Sequence, residues 1–185
     1  MNTEAKTETK MADKAIYKVL IKAPIEKVWA ELVKTDEVLP FFFGSVCKTT
    51  GELAVGAPFA METTNGAFRS VVGKVLVFDP PHRYSHSFKF TGYDDPPCIV
   101  TYELKEVEGG VEFSLITTNV PEGTKTQQGM AQGGKFIVET FKAVVETGKP
   151  SFGGRMMLAM MGLFQPWTPK ASQTKNWPFE KISKI

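Results

Sequence analysis

The stretch of residues 129–148 constrains the fold more than any other part of the chain. Its apolar residues recur at the i, i+3, i+4, i+7 spacing of one helical face, and Gly134 lies on the same line. Gly148 and Pro150 supply a stop signal, because glycine tolerates the left-handed cap conformation and proline cannot continue a helix. At 1.5 Å per residue such a helix is about 30 Å long. The pattern predicts one long helix that crosses a small domain.

The region before this helix contains short runs in which apolar and polar residues alternate. That period of two is typical of half-buried strands. Asn65-Gly66 is the strongest short hairpin signal, and Glu108-Gly109-Gly110 provides a second turn. A series of strands followed by one long helix predicts an α+β domain, in which a curved antiparallel sheet wraps around the helix. The alternating runs lie at residues 16–22, 59–63, 67–78, 84–90, 100–105 and 111–115.

Two small helices are predicted after the first strand. Pro24 lies where a first helical turn would begin, and Ile25, Val28, Trp29, Leu32 and Val33 then form an apolar stripe. Asp36 opens the second helix, which ends in Phe41-Phe42-Phe43-Gly44. Three consecutive phenylalanines cannot share one face, so at least one is expected to point into an interior space or towards solvent.

The composition fits one soluble domain with a tail at each end. The chain has 185 residues, of which 42% are hydrophobic and 23% charged. We expect a loose N-terminal tail at residues 1–13, a domain at 14–149 and a C-terminal extension at 150–185 that packs on the domain. Cys47 and Cys98 have no partner motif and are interpreted as reduced, buried thiols, which favours a cytoplasmic location.

Several partner classes are not expected. The net charge is only +2, and no stripe of Lys and Arg indicates binding to nucleic acid. No stretch reaches the roughly 18 apolar residues that a membrane span requires. Two histidines are too few for most metal sites, and no cofactor is predicted. Residues 129–135 fit G-x-x-x-x-G-K, but no strand precedes them and Phe136 follows where Ser or Thr would hold magnesium. We interpret this match as chance.

The C-terminal extension begins with a methionine-rich segment at residues 155–164 that is predicted to form a short helix. It could cover a cavity, lie on a membrane surface or form a homodimer or other protein contact. Because only Arg155 is nearby to face lipid headgroups, packing on its own domain is favoured. Beyond it, Pro166, Trp167, Pro169, Trp177 and Pro178 indicate an extended strap that needs an apolar surface.

His86 is the most informative polar residue. Because side chains alternate between the two faces of a strand, His86 is placed with Tyr84, Phe88 and Phe90 on a face that is otherwise apolar. A buried imidazole needs a hydrogen-bond partner and could act as the polar group of a cavity or as a proton donor, with Tyr84 as a second weak catalytic candidate. A histidine that is simply satisfied within the core is the favoured interpretation. No Ser-His-Asp or Cys-His arrangement is recognisable, so a non-enzymatic role is favoured without excluding an enzyme.

The excess of aromatic residues and methionine is the best functional clue. The chain has 14 phenylalanines and eight methionines, which form soft walls suited to an apolar ligand. The alternation of side chains assigns these residues to the inner face, although it does not tell whether a residue lines a cavity or packs in a filled core. The candidate ligand-binding residues are Phe42, Phe59, Met61, Phe68, Tyr84, His86, Phe88, Tyr102, Phe113, Met130, Ile137 and Phe141.

Local motifs resemble one branch of the START-related (SRPBCC) superfamily. The carrying motifs are Ala23-Pro24-Ile25-Glu26-Lys27-Val28-Trp29, Phe42-Phe43-Gly44, Gly73-Lys74-Val75, Asp79-Pro80-Pro81-His82-Arg83-Tyr84, Gly109-Gly110-Val111-Glu112-Phe113 and Gly129-Met130. This branch comprises the homologues of the heat-shock-chaperone ATPase activator, and the match covers about residues 15–148. The sequence departs from the branch at Gly56-Ala57, where Gly-Gly is usual, and at Phe43 and Met130, where Trp is usual.

The resemblance implies a helix-grip fold with a cavity between sheet and long helix. Members typically bind apolar ligands there, so a small hydrophobic molecule such as a lipid is the expected partner. A few members are cyclases or hydrolase-like enzymes and some are co-chaperones, and both remain as alternatives. Function must therefore be argued from the site.

Overall fold

The computed structural model describes residues 11, 12, 14–164 and 168–185, and for residues 161–164 it describes the backbone alone. Ten strands and four α-helices are assigned in these residues. The strands are β1 (Met11–Ala12), β2 (Ala15–Ile21), β3 (Val38–Leu39), β4 (Ser45–Thr49), β5 (Pro58–Glu62), β6 (Arg69–Asp79), β7 (Arg83–Phe90), β8 (Cys98–Val107), β9 (Gly110–Thr118) and β10 (Val120–Pro121). The helices are α1 (Ile25–Leu32), α2 (Lys125–Thr147), α3 (Phe152–Phe164) and α4 (Phe179–Ile182).

Eight strands form one curved antiparallel sheet in the order β2-β9-β8-β7-β6-β5-β4-β3. The register shifts between Met61 and Glu62 and again between Val75 and Val77, and such irregularities increase the local bend of a strand. Gly73 lies at a close approach of β6 to β7, because a Cβ atom built there would be 1.9 Å from the carbonyl oxygen of Ser87. The predicted α+β architecture of a sheet wrapped around a long helix is confirmed.

The long helix α2 is confirmed, but it begins four residues before the predicted start at Gly129. The reason is an N-cap that the apolar pattern does not reveal: the Thr124 hydroxyl accepts a hydrogen bond from the Gln127 amide at 3.2 Å. The predicted C-cap is correct, since Gly148 adopts a left-handed conformation with φ of 75°. Gly134 lets the helix approach β2, because a Cβ there would lie 2.3 Å from the Tyr17 ring.

Two side chains of α2 also bind backbone groups at the end of β2, an edge strand of the sheet, and at Lys22, the residue that follows it. Lys142 donates a hydrogen bond to the carbonyl oxygen of Leu20, and the Glu146 carboxylate accepts one from the amide of Lys22 at 2.7 Å. Lys142 and Glu146 also pair with each other at 2.9 Å. The amide of Lys22 and the ammonium of Lys142 together lower the pKa of Glu146. The helix thus supplies partners that a neighbouring strand would otherwise provide.

The prediction of a second small helix from Asp36 is wrong. The chain makes the two-residue strand β3 and then a single 3₁₀ turn at Pro40–Phe42. Asp36 and Phe43 adopt positive φ angles of 62° and 55°, which interrupt a regular helix. The preceding helix α1 is confirmed, and it buries the predicted stripe of Ile25, Val28, Trp29 and Leu32.

The tail predicted at residues 1–13 falls mostly outside the described residues. Met11 and Ala12 are described and form β1, which pairs with Val120 and Pro121 of β10. This pairing places the start of the described chain beside the loop that leads into α2.

Residues 168–185 of the C-terminal extension pack on the outer face of β5 and β6. Trp177 and Ile182 are buried there against Ala60 and Val72, in a second apolar cluster separate from the main core. The Thr174 hydroxyl donates to the carbonyl oxygen of Gly66 at 2.7 Å. Pro166 and Trp167 of the predicted strap lie outside the described residues.

Unlike residues 168–185 of the extension, helix α3 leaves most of its described apolar side chains exposed. Phe152 is 75% exposed, and Met156, Met157 and Met160 are also exposed. A Cβ built on Gly44 would lie 3.7 Å from Leu158, which indicates where α3 touches the domain. The methionine-rich helix is therefore present, but most of its described apolar side chains face outwards instead of packing on the domain.

The alternation of side chains along the run 59–63 predicts that Glu62 lies with the outward polar residues, and the extension explains why it is nevertheless buried. Parity does place Glu62 on the outer face, but Glu62 is buried beneath the extension and forms an ion pair with Arg69 at 3.0 Å. Arg69 also donates to the carbonyl oxygen of Trp177 and lies 4.4 Å from the ring centre of Phe179. The pair and its surroundings tie the extension to the sheet.

Candidate functional site

A small cavity of about 10 Å³ lies on the inner face of the sheet, beside the 3₁₀ turn and the end of α1. This volume is about that needed for one water molecule. The lining residues on strands come from two groups of adjacent strands, β3 to β5 and β7 with β8, and β6 separates these groups in the curved sheet. The lining residues are Leu32, Lys34, Leu39, Phe41, Phe42, Cys47, Leu53, Met61, Tyr84, His86 and Tyr102.

His86 is a fully buried polar group at this cavity. It lies on β7, where the alternation of the strand directs it inwards together with Tyr84 and Phe88. Its Nδ1 lies 2.9 Å from the carbonyl oxygen of Ser87. Burial lowers the pKa of His86 to about 4, while the hydrogen bond to Ser87 opposes that shift. His86 is therefore a neutral imidazole at pH 7.

Tyr84 and Tyr102 are cross-strand neighbours that flank His86. Their rings are stacked with centres 5.9 Å apart, and each ring centre lies within 6 Å of that of His86. Burial raises the pKa of both hydroxyls, with a smaller contribution from the nearby Cys47 thiol. Both residues are therefore neutral phenols that can donate and accept hydrogen bonds.

Three polar atoms of these side chains, the two tyrosine hydroxyls and Nε2 of His86, lack a hydrogen-bond partner among the described residues. In that same part of the chain, Thr126 Oγ1 alone is both fully enclosed and without a hydrogen-bond partner among the side-chain nitrogen and oxygen atoms. The three atoms at the cavity are thus unpartnered but not sealed, and they are available to a small molecule.

Cys47 adds a thiol to the cavity wall, opposite Met61 in the sheet register. Burial, and secondarily the negative charge of Asp36, raises its pKa to about 12. Cys98 is also buried, with its pKa raised by burial to about 12, but it does not line the cavity. Because the thiolate is the nucleophile, neither cysteine is activated at neutral pH.

Aromatic rings fill most of the space between the sheet and α2. The Phe141 ring of α2 lies 4.8 Å from that of Phe41 and 4.5 Å from that of Phe113, measured between ring centres. Phe59 meets His86 edge-on at 4.7 Å. These contacts close the interior around the small cavity.

The edge of the cavity is marked by Lys34 and Leu53, its two lining residues that are not buried. Lys34 follows α1, and its ammonium group contacts Glu31 at 2.8 Å and Glu37 at 3.5 Å. Leu53 lies in the connection between β4 and β5. The route from solvent to the cavity therefore passes between the end of α1 and this connection.

The structure brings together most of the residues selected from the sequence. Five of them line the cavity: Phe42, Met61, Tyr84, His86 and Tyr102. Six more belong to or pack against the same core without lining the cavity: Phe59, Phe88, Phe113, Met130, Ile137 and Phe141. Phe68 lies apart from this core, because it precedes β6 and bridges to Gln173 of the extension.

Several lining residues were missed. Cys47 lies on β4, a strand that no alternating pattern revealed, since Val46 and Cys47 are both buried. Lys34 and Leu53 lie in connections, where periodicity gives no direction. Phe41 belongs to the run of three phenylalanines, of which Phe42 alone was selected as a ligand-binding candidate.

The described residues form neither a phosphate loop, nor a metal site, nor a helix that could span a membrane. Residues 129–135 lie inside α2, so the G-x-x-x-x-G-K match does not form a phosphate loop. No group of three or more His, Cys, Asp or Glu side chains that could hold a metal ion occurs in the described part of the chain. None of the helices described there is long and apolar enough to cross a membrane.

The fold and the interior described above define a helix-grip protein with a largely filled core. The family model described as "Activator of Hsp90 ATPase homolog 1-like protein" matches residues 22–146. The chain belongs to this family, and the resemblance found in the sequence motifs is confirmed. No curated protein matches the sequence significantly.

Solved structures support the same fold. The solution structure of the Aha1 dimer from Colwellia psychrerythraea is 18% identical over 75% of this chain and 99% of that one, with a TM-score of 0.60. CalU16 from Micromonospora echinospora is 19% identical over 84% of this chain and 87% of that one, with a TM-score of 0.57. An Hsp90 activator from Plasmodium falciparum is 20% identical over 74% and 97%, with a TM-score of 0.53. At these identities the likeness shows the fold alone.

Proposed function

We propose that this protein binds a small, mainly apolar molecule in the interior between the sheet and α2. One observation carries the proposal: His86, Tyr84 and Tyr102 line one cavity in a mainly apolar core, and each has a polar atom without a hydrogen-bond partner among the described residues. Ligand sites are mostly apolar and contain a few polar groups that converge to fix orientation. Three such groups in one place favour a partner that the described residues do not supply, because burying a polar group without a partner costs stability.

The ligand must enlarge the cavity on entry. Sites for drug-sized ligands span about 300–1,000 Å³, whereas this cavity measures about 10 Å³. Met61 and Leu53 are the side chains most suited to move, since methionine is flexible and Leu53 is partly exposed in a connection. Entry past Lys34 would require that its contacts with Glu31 and Glu37 open, and exposed ion pairs of this kind contribute little stability.

Binding is favoured over a cyclase or hydrolase activity by the protonation states of the site. Tyr84, Tyr102 and Cys47 all have raised pKa values because they are buried, so each keeps its proton at neutral pH. A nucleophile in a catalytic site is normally activated by a lowered pKa or an adjacent base. The enzyme alternative therefore depends on His86 alone as a proton acceptor.

Native mass spectrometry of gently purified full-length protein tests the proposal. A reproducible extra mass that disappears on denaturation supports a bound molecule, and its fragmentation identifies the chemical class. Cys47 then reports where that molecule lies, because its thiol lines the cavity. Bound ligand should slow alkylation of Cys47 in a Cys98→Ala variant. Alkylation of Cys98 in a Cys47→Ala variant serves as the matched control and should not change.

Two results would contradict the proposal. One is the absence of any bound mass combined with no binding in a screen of apolar compounds. The other is a ligand that protects neither cysteine, because it would then bind outside the interior.

A second candidate role is self-association through α3. Phe152, Met156, Met157 and Met160 are exposed, and a helix that is apolar on all sides is normally covered. A second copy of this chain is the proposed occupant, since the similar Colwellia protein is a dimer in its solution structure. Light scattering should then show a dimer, and the double change Met156→Lys and Met160→Lys should yield a monomer. A wild-type monomer at about 100 μM, where an affinity in the micromolar range would give dimer, would refute this role.

A further inference from the structure

The hydrogen bond of His86 determines which kind of polar group the cavity can receive. The Ser87 carbonyl oxygen can only accept, so Nδ1 of His86 must carry the proton and donate it across the 2.9 Å contact. Because the buried imidazole is neutral, its Nε2 then carries a lone pair and no proton. A ligand that satisfies His86 must therefore supply a hydrogen-bond donor.

The tyrosines set the complementary requirement. Each hydroxyl of Tyr84 and Tyr102 carries a proton and has no acceptor among the described residues. Both ring centres lie 5.2–5.9 Å from that of His86, and all three side chains line the same cavity. A group that donates to His86 Nε2 and also accepts from a tyrosine hydroxyl would satisfy atoms that the protein leaves unpaired.

Charged groups do not meet this requirement. A carboxylate cannot donate to Nε2, and Lys34, the cation that lines the cavity, is already paired with Glu31 and Glu37. A cationic group could donate, but no carboxylate lines the cavity to neutralise it. An ether or ketone could accept from the tyrosines but would leave Nε2 unpaired. A neutral hydroxyl group donates and accepts at once.

We infer that the ligand is a neutral, mainly apolar molecule with a hydroxyl group, whose O–H donates to His86 Nε2 and whose oxygen accepts from Tyr84 or Tyr102. This inference rests on the proposed binding function and adds the chemistry of the ligand. An alcohol or a phenol meets the requirement, and the rings of Phe41, Phe42 and Tyr102 favour an aromatic or otherwise flat body.

Three probes that share one ring system test the inference on the full-length protein. 2-Naphthol carries a hydroxyl group, 2-methoxynaphthalene an acceptor alone, and 2-naphthoate a negative charge. We expect fluorescence titration at pH 7 to show that 2-naphthol binds about tenfold or more tightly than 2-methoxynaphthalene, the equivalent of about one hydrogen bond. Binding of 2-naphthoate should be weaker still.

Variants separate the two sides of the hydrogen-bond pattern. His86→Leu removes the acceptor, so it should reduce the affinity for 2-naphthol to that for 2-methoxynaphthalene and leave the latter nearly unchanged. Tyr102→Phe removes one oxygen with little change of shape and should weaken both probes. His82→Gln, at the exposed histidine, is the matched control and should alter neither. Circular dichroism confirms that each variant is folded, and the comparison of the three probes on the wild-type protein decides the hydroxyl requirement if His86→Leu does not fold.

The outcomes distinguish this inference from the function on which it rests. Equal affinity for 2-naphthol and 2-methoxynaphthalene, or a preference for 2-naphthoate, would overturn the hydroxyl requirement while leaving a hydrophobic binding site. Failure of all three probes to bind would refute the proposed function, and this inference with it.

Discussion

Acidification from pH 7.5 to 5.0 should destabilise the folded protein through His86. Its pKa is lowered by burial to about 4, from an ordinary value of 6.5. Between these two values the unfolded chain binds more protons than the folded chain, so the stability is fully present above pH 6.5 and is lost as the pH falls towards 4. Integrating this difference in bound protons gives a loss of about 2 kcal/mol in the free energy of unfolding at pH 5.0.

Urea unfolding measured at several pH values between 7.5 and 5.0 provides the assay. Wild type should lose about 2 kcal/mol over this range, whereas His86→Leu should lose much less, whatever its absolute stability. His82→Gln keeps the buried histidine and should retain the slope of wild type. Glu146 interferes little, because its pKa lies below the ordinary carboxyl value of 4.5 and its contribution is lost below the chosen range.

An unchanged slope in His86→Leu would refute the burial of a neutral imidazole at this position. NMR gives an independent check, because the chain has only two histidines. The ring resonances of His86 should stay constant from pH 7.5 to about 5 if its pKa is near 4. A midpoint near the ordinary value of about 6.5 would show that the ring is solvated, and the hydrogen-bond pattern inferred for the cavity would fail with it.

Three further substitutions test the packing around the site, each by urea unfolding. Phe141→Ala removes a fully buried ring and should cost about 3–5 kcal/mol; Phe152→Ala, at a 75% exposed ring, should cost almost nothing, and equal losses would contradict the packing of α2. Gly73→Ala should cost at least about 1–3 kcal/mol through its clash with a backbone oxygen of β7, whereas Gly51→Ala meets no neighbour and should be neutral. Glu62→Gln breaks the buried ion pair and should cost about 3 kcal/mol or more; a neutral effect would show that the extension does not enclose the pair.

Local periodicity predicted those features that depend on one element at a time. The alternation of Tyr84, His86 and Phe88 placed all three on the inner face, and all three are buried there. The long helix was predicted from its apolar line and from Gly148, and its early start at Lys125 was missed because the cap is set by the Thr124 side chain. Thr124 followed three residues later by Gln127 is nevertheless a local capping pattern, so this start could have been read from the sequence.

Features that depend on distant segments could not be predicted in this way. The parity of Glu62 was correct, but the extension, more than 100 residues later, covers the face on which it lies. The small size of the cavity depends on how Phe41, Phe113 and Phe141 meet across three elements. A pattern along one strand indicates which face a ring occupies, but not whether another ring already fills the space in front of it.

The contacts of Lys142 and Glu146 with β2 have a consequence for the behaviour of the protein in concentrated solution. An uncovered edge strand offers unpaired amides and carbonyls to the edge of another molecule and so promotes aggregation. By engaging the carbonyl oxygen of Leu20 and the amide of Lys22, α2 withholds part of that edge from intermolecular pairing. Loosening of the C-terminal end of α2 would release these groups together. The helix that closes the interior thus also protects the protein against sheet-to-sheet association.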